Sequence, residues 1–254
     1  MLDFVQFLTS ASVVTFLLLF VRVTTLFVFM PFFSSEIISA TVKPAVAFYL
    51  TIFFFPLVPI VGFELTASNV MLAVIMEVLF GFSVGIILRF AFAALQYAGE
   101  QIAFVMGFSM ATAIDPQSAQ SVPIISQFLN TLAIIFFLVF NGHHMILLFL
   151  SSTLASLDLG GFLLTDAYLE YVMGEMARLF VMGFSLAFPI LALSILSDII
   201  FGMIMKTMPS FNLLVIGFPA KIAISFVVLI AVIGSMMAVF KGEFLRTFNI
   251  LGGF

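Results

Sequence analysis

Groups able to do acid–base, metal or nucleophilic chemistry are scarce in this chain. Its 254 residues hold two histidines, twelve carboxylates, eight Lys and Arg, and no cysteine. The histidines, His143 and His144, are adjacent, so on a helix they point about 100° apart and are poorly placed to face one metal together. Beside Asn141-Gly142 they read as part of a polar turn. Without cysteine there is no disulfide, CxxC redox pair or thiolate metal site. No GxxxxGK[ST] phosphate cradle and no HExxH helix occurs, and no serine-nucleophile elbow is expected. The reading is of a protein that is not an enzyme, with no catalytic, cofactor or metal residues.

The charges that remain sit in unusual places. Arg22, Glu77, Arg89 and Asp198 interrupt apolar stretches, where each would cost about 2.5–3.5 kcal/mol at the centre of a lipid-facing helix. Two readings stay open for them: an ion relay or polar assembly contact, or plain markers of helix ends. Glu175 and Arg178, at i and i+3, read most simply as a local pair. Gly81-Phe-Ser-Val-Gly85 has small-xxx-small spacing, which lets another backbone approach; Gly107 and Ala111 repeat it.

The central stretch AGEQIAFVMGFSMATAIDPQSAQSVPIISQ is mixed in character. Phe104, Met106, Phe108 and Met110 lie beside Ser109, Thr112, Asp115, Gln117 and Ser118. Pro116 opposes helix continuation, and the residue before it prefers extended geometry. Irregular backbone at membrane depth is tolerated only where it lines a cavity or is buried in protein. The stretch therefore reads as a lumen-facing loop, whose flexible Met and Phe side chains could close a passage, in preference to an ordinary exposed connection.

The elements that must hold these residues are apolar. Hydrophobic residues make up 64% of the chain and charged ones 8%, with a mean hydropathy of +1.37, against about 25% charged in a soluble domain. The outer solvent must be lipid or other apolar protein, so the fold class is an all-α membrane protein. The net charge of −4 includes no basic block for nucleic acid. The opening lacks a basic n-region, so no cleavable signal peptide is expected. A span needs about 20 apolar residues. Cutting at the charges and prolines gives 4–21, 44–63 (ended or kinked by Pro56 and Pro59), about 68–96, 117–157 broken at Asn141-Gly142 into a long helix and a shorter return arm, 179–197 and 222–240. Six to seven hydrophobic helices in hairpins, within one domain, are expected. The acidic connection 151–171 would face outward, and Lys43 and Lys206 the cytoplasm; Lys241 and Arg246 in the tail pull the other way.

With these motifs in view, the sequence resembles the FliR family of flagellar type III export-gate subunits, called SctT in injectisomes. The likeness runs along nearly the whole chain. It rests on Arg22, Pro31 and Lys43; on EVLFGFSVG with Glu77, Gly81 and Gly85; on Gly99, Gly107, Asp115 and Pro116; on Asn141, Gly142 and His143; and on Pro189, Asp198, Gly202, Pro209, Asn212, Gly217, Pro219 and Lys221. Lys206 stands where the family usually has Arg, and Ser210 where it usually has Gln.

The resemblance implies a non-enzymatic channel component in the bacterial inner membrane at the flagellar basal body. A FliP-like part over about 1–175 and a FliQ-like hairpin over about 176–254 are implied, with the hairpin tip near Lys206–Asn212 facing the cytoplasm. Implied partners are FliP-like and FliQ-like gate subunits, FlhB-like and FlhA-like export proteins and unfolded export substrates. The pore plug carries over to Phe104, Met106, Gly107, Phe108, Met110, Asp115 and Pro116, the same stretch that the backbone argument singles out. Arg22, Glu77, Gly81, Gly85, Asp198, Lys206, Pro209, Asn212, Pro219 and Lys221 are the candidate packing and assembly residues. The competing class is a small-solute or ion transporter using Glu77, Arg89 and Asp198, although transporters often show inverted repeats and none is evident.

Overall fold

The computed structural model describes residues 11–30, 39, 41–107, 123–208 and 212–251. The described residues form seven α-helices and no strand. They are α1 (Ala11–Phe29), α2 (Val42–Phe54), α3 (Ala67–Met106), α4 (Ile124–Val139), α5 (Gly142–Ser156), α6 (Asp166–Thr207) and α7 (Phe218–Leu251). Pro56 lies in the single 3-10 turn Phe55–Leu57 that closes α2, as its missing N–H and fixed φ require. Asn141, in the left-handed region at φ 60°, separates α4 from α5.

Several expected boundaries were too tight. Arg22 does not end a helix but lies inside α1, while Glu77 lies inside α3, within the span expected for the third helix. The third helix runs on from the expected Gln96 to Met106, so Phe104 and Met106 belong to its last turns and not to a loop. The two arms around Asn141-Gly142 are nearly equal, at 16 and 15 residues. Within the expected loop 151–171, only 157–165 leaves helical geometry. The last two spans extend to 42 and 34 residues. Charge is a poor helix terminator when it finds a partner, because pairing and hydrogen bonds offset much of the cost of burying the ion.

Among the described residues, four helices are long and apolar enough to cross a membrane, or five with α4 and α5 as one broken span. At 1.5 Å per residue the 40 residues of α3 run to about 60 Å of contour, roughly twice a hydrocarbon core of about 30 Å. Of the most apolar window of α7, only 22% is buried within the chain.

The chain divides into two compact units. In the first (Met1–Arg89, Leu138–Glu175, Leu245–Phe254), α1 buries Leu18, Leu19, Val23 and Leu26 completely. Edge-on ring pairs of Phe16 and Phe20 with Phe48 (5.8 and 6.1 Å between centroids) join α1 to α2. The small-xxx-small motif meets α1 of the same chain: a Cβ on Gly81 would lie 2.6 Å from Thr25 Cβ, and one on Gly85 would strike Phe29 Cβ. In the second unit (Phe90–Phe137, Met176–Phe244), Phe92 packs edge-on against Phe137 and Phe240 at 5.7 and 4.9 Å. There α3 crosses α4 at Gly99, whose Cβ would sit 2.5 Å from Ser126 Cα, and the Ser126 hydroxyl donates to the Gln96 carbonyl at 2.9 Å.

The expected local pair of Glu175 and Arg178 is not formed. Within the first unit Arg246 donates to both Glu175 carboxylate oxygens at 2.8 and 2.7 Å, and within the second Arg178 reaches Glu243 at 3.7 Å. Both pairs join α6 to α7. The i,i+3 spacing that reads as a pair within one helix instead matches the same spacing, with charges reversed, on an antiparallel neighbour.

Glycine substitutions separate crossings from open faces. In the isolated chain in detergent, Gly99→Leu is expected to lower stability by about 1–3 kcal/mol or more, because backbone atoms block the side chain. Gly234→Ala, with nothing within 4 Å, should raise it by about 0.5–1 kcal/mol through helix propensity. Thermal unfolding followed by circular dichroism checks both, and similar melting points for the two variants would contradict the crossing.

Candidate functional site

The most constrained polar group lies in the first unit. Arg22 sits mid-way along α1 at 0% exposure, and Glu77 on α3 is equally buried. The two meet bidentately: Arg22 Nε donates to Glu77 Oε2 at 2.5 Å and Nη2 to Oε1 at 2.7 Å. The remaining donors go to backbone carbonyls at the end of α5. Nη1 reaches Thr153 O (3.4 Å) and Leu157 O (3.1 Å), and Nη2 reaches Asp158 O (3.2 Å). All five guanidinium N–H groups therefore have an acceptor. The Phe80 ring lies 5.0 Å from Arg22 Cζ.

Each contact answers a separate physical demand. The end of a helix carries partial negative charge, which favours a guanidinium there; Leu157 O gains its donor from Arg22, while Thr153 O and Asp158 O also accept the Leu157 and Gly161 N–H groups, each at 3.0 Å. A planar five-donor fork suits this role better than a lysine would. Glu77 Oε1 also accepts the Gly160 backbone N–H at 2.7 Å. Gly160 has φ +79°, and a Cβ there would fall 2.8 Å from Ala73 Cβ, so both its backbone and its space exclude other residues. The loop 157–165 is thereby seated on α3, and the Thr165 hydroxyl caps α6 by accepting the Tyr168 N–H at 3.2 Å.

In the second unit, Lys221 on α7 holds Asp198 on α6 with Nζ 2.8 Å from both carboxylate oxygens; the lysine is buried and the aspartate half exposed. Lys206 is exposed in the last turn of α6. Asn212 precedes the π turn Leu213–Gly217, its Oδ1 accepting the Val215 N–H at 3.4 Å. Pro219 is the second residue of α7, where its missing N–H costs nothing. Pro209 lies outside the described residues.

The expected plug is described only at its root. Phe104 is 68% exposed, Met106 is fully buried in the second unit, and Gly107 at φ +86° ends α3 with its N–H on Phe104 O at 3.1 Å. The Ser194 hydroxyl on α6 donates to Val105 O at 3.4 Å and ties this root down. Phe108, Met110, Asp115 and Pro116 lie outside the described residues.

Of the proposed relay groups, Glu77 is consumed by Arg22 and Asp198 by Lys221, while Arg89 is exposed. Gly81-Phe-Ser-Val-Gly85 does carry the GxSxG spelling, against the expectation of no serine-nucleophile elbow. A nucleophile elbow needs a strand-to-helix turn, whereas Ser83 is buried inside α3 with its hydroxyl on Phe80 O at 2.9 Å. His143 and His144 have ring centroids 4.2 Å apart, and no group of three metal-ligating side chains occurs among the described residues. Sequence reasoning found Arg22 and Glu77 but missed Thr153, Leu157, Asp158 and Gly160. Only the Gly160-Gly161 pair after Asp158 carried a signal there.

The Arg22–Glu77 site fastens α1, α3 and the end of α5 together. Residues 13–247 match the family described as Bacterial export proteins, family 1. The chain belongs to this FliR family. It is 32% identical over 239 residues to the flagellar biosynthetic protein FliR of Bacillus subtilis, covering 93% of this chain and 92% of that one. It is 29% identical to the protein of that name from Escherichia coli, over 91% and 88% of the two chains, and 26% identical to that from Aquifex aeolicus, over 85% and 84%. Family membership and the apolar helices make this a membrane protein of an export family.

The ion pair yields a double-mutant test. Arg22→Met or Glu77→Leu alone should each cost about 3–5 kcal/mol, since each leaves a buried charge unpartnered. The double variant should cost clearly less than the sum. Protease resistance of loop 157–165 and thermal unfolding read the effect, and strict additivity would rule out the pairing.

Proposed function

We propose that the chain is a structural and gating subunit of a flagellar type III protein-export channel in the bacterial inner membrane at the basal body. The match along residues 13–247 to a bacterial export family, with relatives named flagellar biosynthetic protein, carries this reading. In it the chain closes a gate of FliP-like and FliQ-like subunits, and residues 1–175 and 176–254 are its FliP-like and FliQ-like parts. FlhB-like and FlhA-like proteins and unfolded flagellar substrates are the further partners. The flagellar form is favoured over the injectisome form because the relatives compared carry the flagellar name.

Geometry supports the reading in two ways. Helices about 50–60 Å in contour outrun the hydrocarbon core, so their exposed apolar faces call for protein as well as lipid. The root of the plug is also fixed: Met106 is buried, Gly107 turns the chain out of α3, and Phe104 is exposed beside it. In this reading the plug comprises Phe104, Met106, Gly107, Phe108, Met110, Asp115 and Pro116, with the buried Met106 anchoring its root. Unfolded substrate would displace the plug, which would reclose by hydrophobic contact. The driving energy would come from the proton motive force and a separate ATPase, since this chain has no nucleotide motif.

Deleting residues 107–118 is expected to raise membrane conductance to small ions while the gate complex still assembles. Background conductance with intact assembly would sink the plug assignment. A photo-crosslinker at position 108 should capture a stalled export substrate. Purification separates the transporter alternative: a gate subunit co-purifies with FliP-like and FliQ-like chains, whereas a transporter remains stable alone.

A further inference from the structure

A cavity of about 230 Å³ lies in the first unit against the Arg22 cluster. Phe80 and Val84 of α3, Phe149, Thr153 and Ser156 of α5, and Leu163 in the following loop form much of its wall. The far side of that wall is the ion-pair site. Phe80 is the ring under Arg22, and Thr153 and Leu157, both lining residues, give their carbonyls to its guanidinium.

The lining hydroxyls of α5 are already committed. Thr153 donates to Leu150 O at 2.8 Å and Ser156 to Ser152 O at 3.1 Å. Thr165 accepts the Tyr168 N–H, and the buried Tyr168 side chain lies beside Ser83, whose hydroxyl donates to Phe80 O at 2.9 Å. A water needs two to four polar partners, and apolar cavities of about 150 Å³ stay dry and bind hydrocarbons. This cavity is larger and has aromatic walls, with Phe80 and Phe162 edge-on at 5.4 Å. Leu163, 70% exposed, marks its mouth.

We propose that this cavity is a binding site for one hydrocarbon chain of a membrane lipid. An acyl chain is the most abundant apolar solute available to a membrane protein. It requires no hydrogen bonds that the wall cannot give, and it would fill space that otherwise forfeits dispersion contacts. Filled, the cavity props Phe80 and the end of α5 against the Arg22–Glu77 pair.

The test uses the full-length chain in phosphatidylethanolamine–phosphatidylglycerol nanodiscs doped with a phospholipid carrying a diazirine near one acyl terminus. Labelled peptides are mapped by mass spectrometry. Label is expected at Phe149, Phe162 or Tyr168 at least fivefold above the exposed face around Ile230. Leu163→Trp, which plugs the mouth, should cut that labelling at least fivefold, and so should Ser156→Phe from another wall. Ile230→Trp should leave it unchanged, and circular dichroism verifies that each variant is folded. Competition by added free fatty acid as strong as that by phospholipid would show that the chain, not the headgroup, is recognised. Labelling that follows exposure alone, or that survives both filling variants, would overturn the site. Loss of the label when the chain is embedded in its assembled complex would also overturn it, because a protein side chain would then be the occupant.

Discussion

A guanidinium taken wholly out of water must find an acceptor for every N–H, and in an apolar helical protein few acceptors are free. Arg22 finds a carboxylate on α3 and three carbonyls where α5 ends. No one of these would suffice: the carboxylate takes two donors, and a buried charge with unsatisfied donors costs several kcal/mol. The position of α1 is therefore tied to a specific turn of α3 and to the last turn of α5. Gly81, Gly85 and Gly160 follow from that demand, since they let the chains come close enough for the side chains to meet. The cavity is a consequence of the same arrangement, sharing Phe80, Thr153 and Leu157 with the ion-pair site.

The second unit solves its packing differently. Its contacts are aromatic edges and close backbone crossings at Gly99 and Gly183, and its Lys221–Asp198 pair reaches the surface. The two glycine classes differ in kind. Those at crossings have no room for a methyl group, while Gly202, Gly234 and Gly242 stand in open space within this chain. Large exposed apolar side chains such as Phe184, Phe188 and Ile230 share that outward character. Helices longer than a hydrocarbon core is thick, with apolar faces turned outward, are consistent with the proposed export-subunit function.

Helix existence was legible because long apolar runs have few structural alternatives in lipid. Helix ends were not, because charge was taken as a boundary. Arg22 is the plainest case: it looks like an interruption when viewed alone and becomes an interior residue once Glu77 lies opposite it. Glu175 and Arg178 show the same failing in another form. Their spacing matches a bond within one helix, yet each bonds to α7. Ion pairing depends on what lies across the interface, and a linear reading contains no interface. Phe104 and Met106 read as loop from the mixed composition and Pro116 that follow, yet the helix-forming run continues to Met106.

Composition alone required an α-helical membrane protein, since a chain with 8% charged residues cannot build a wet surface. The order and spacing of its Gly, Pro and charged residues already carried the family. Which charges meet, which glycines are crossings and where a cavity opens were decided only in three dimensions. Those features depend on distances between residues as far apart as Arg22 and Asp158, and sequence periodicity reaches only one or two turns along a single helix.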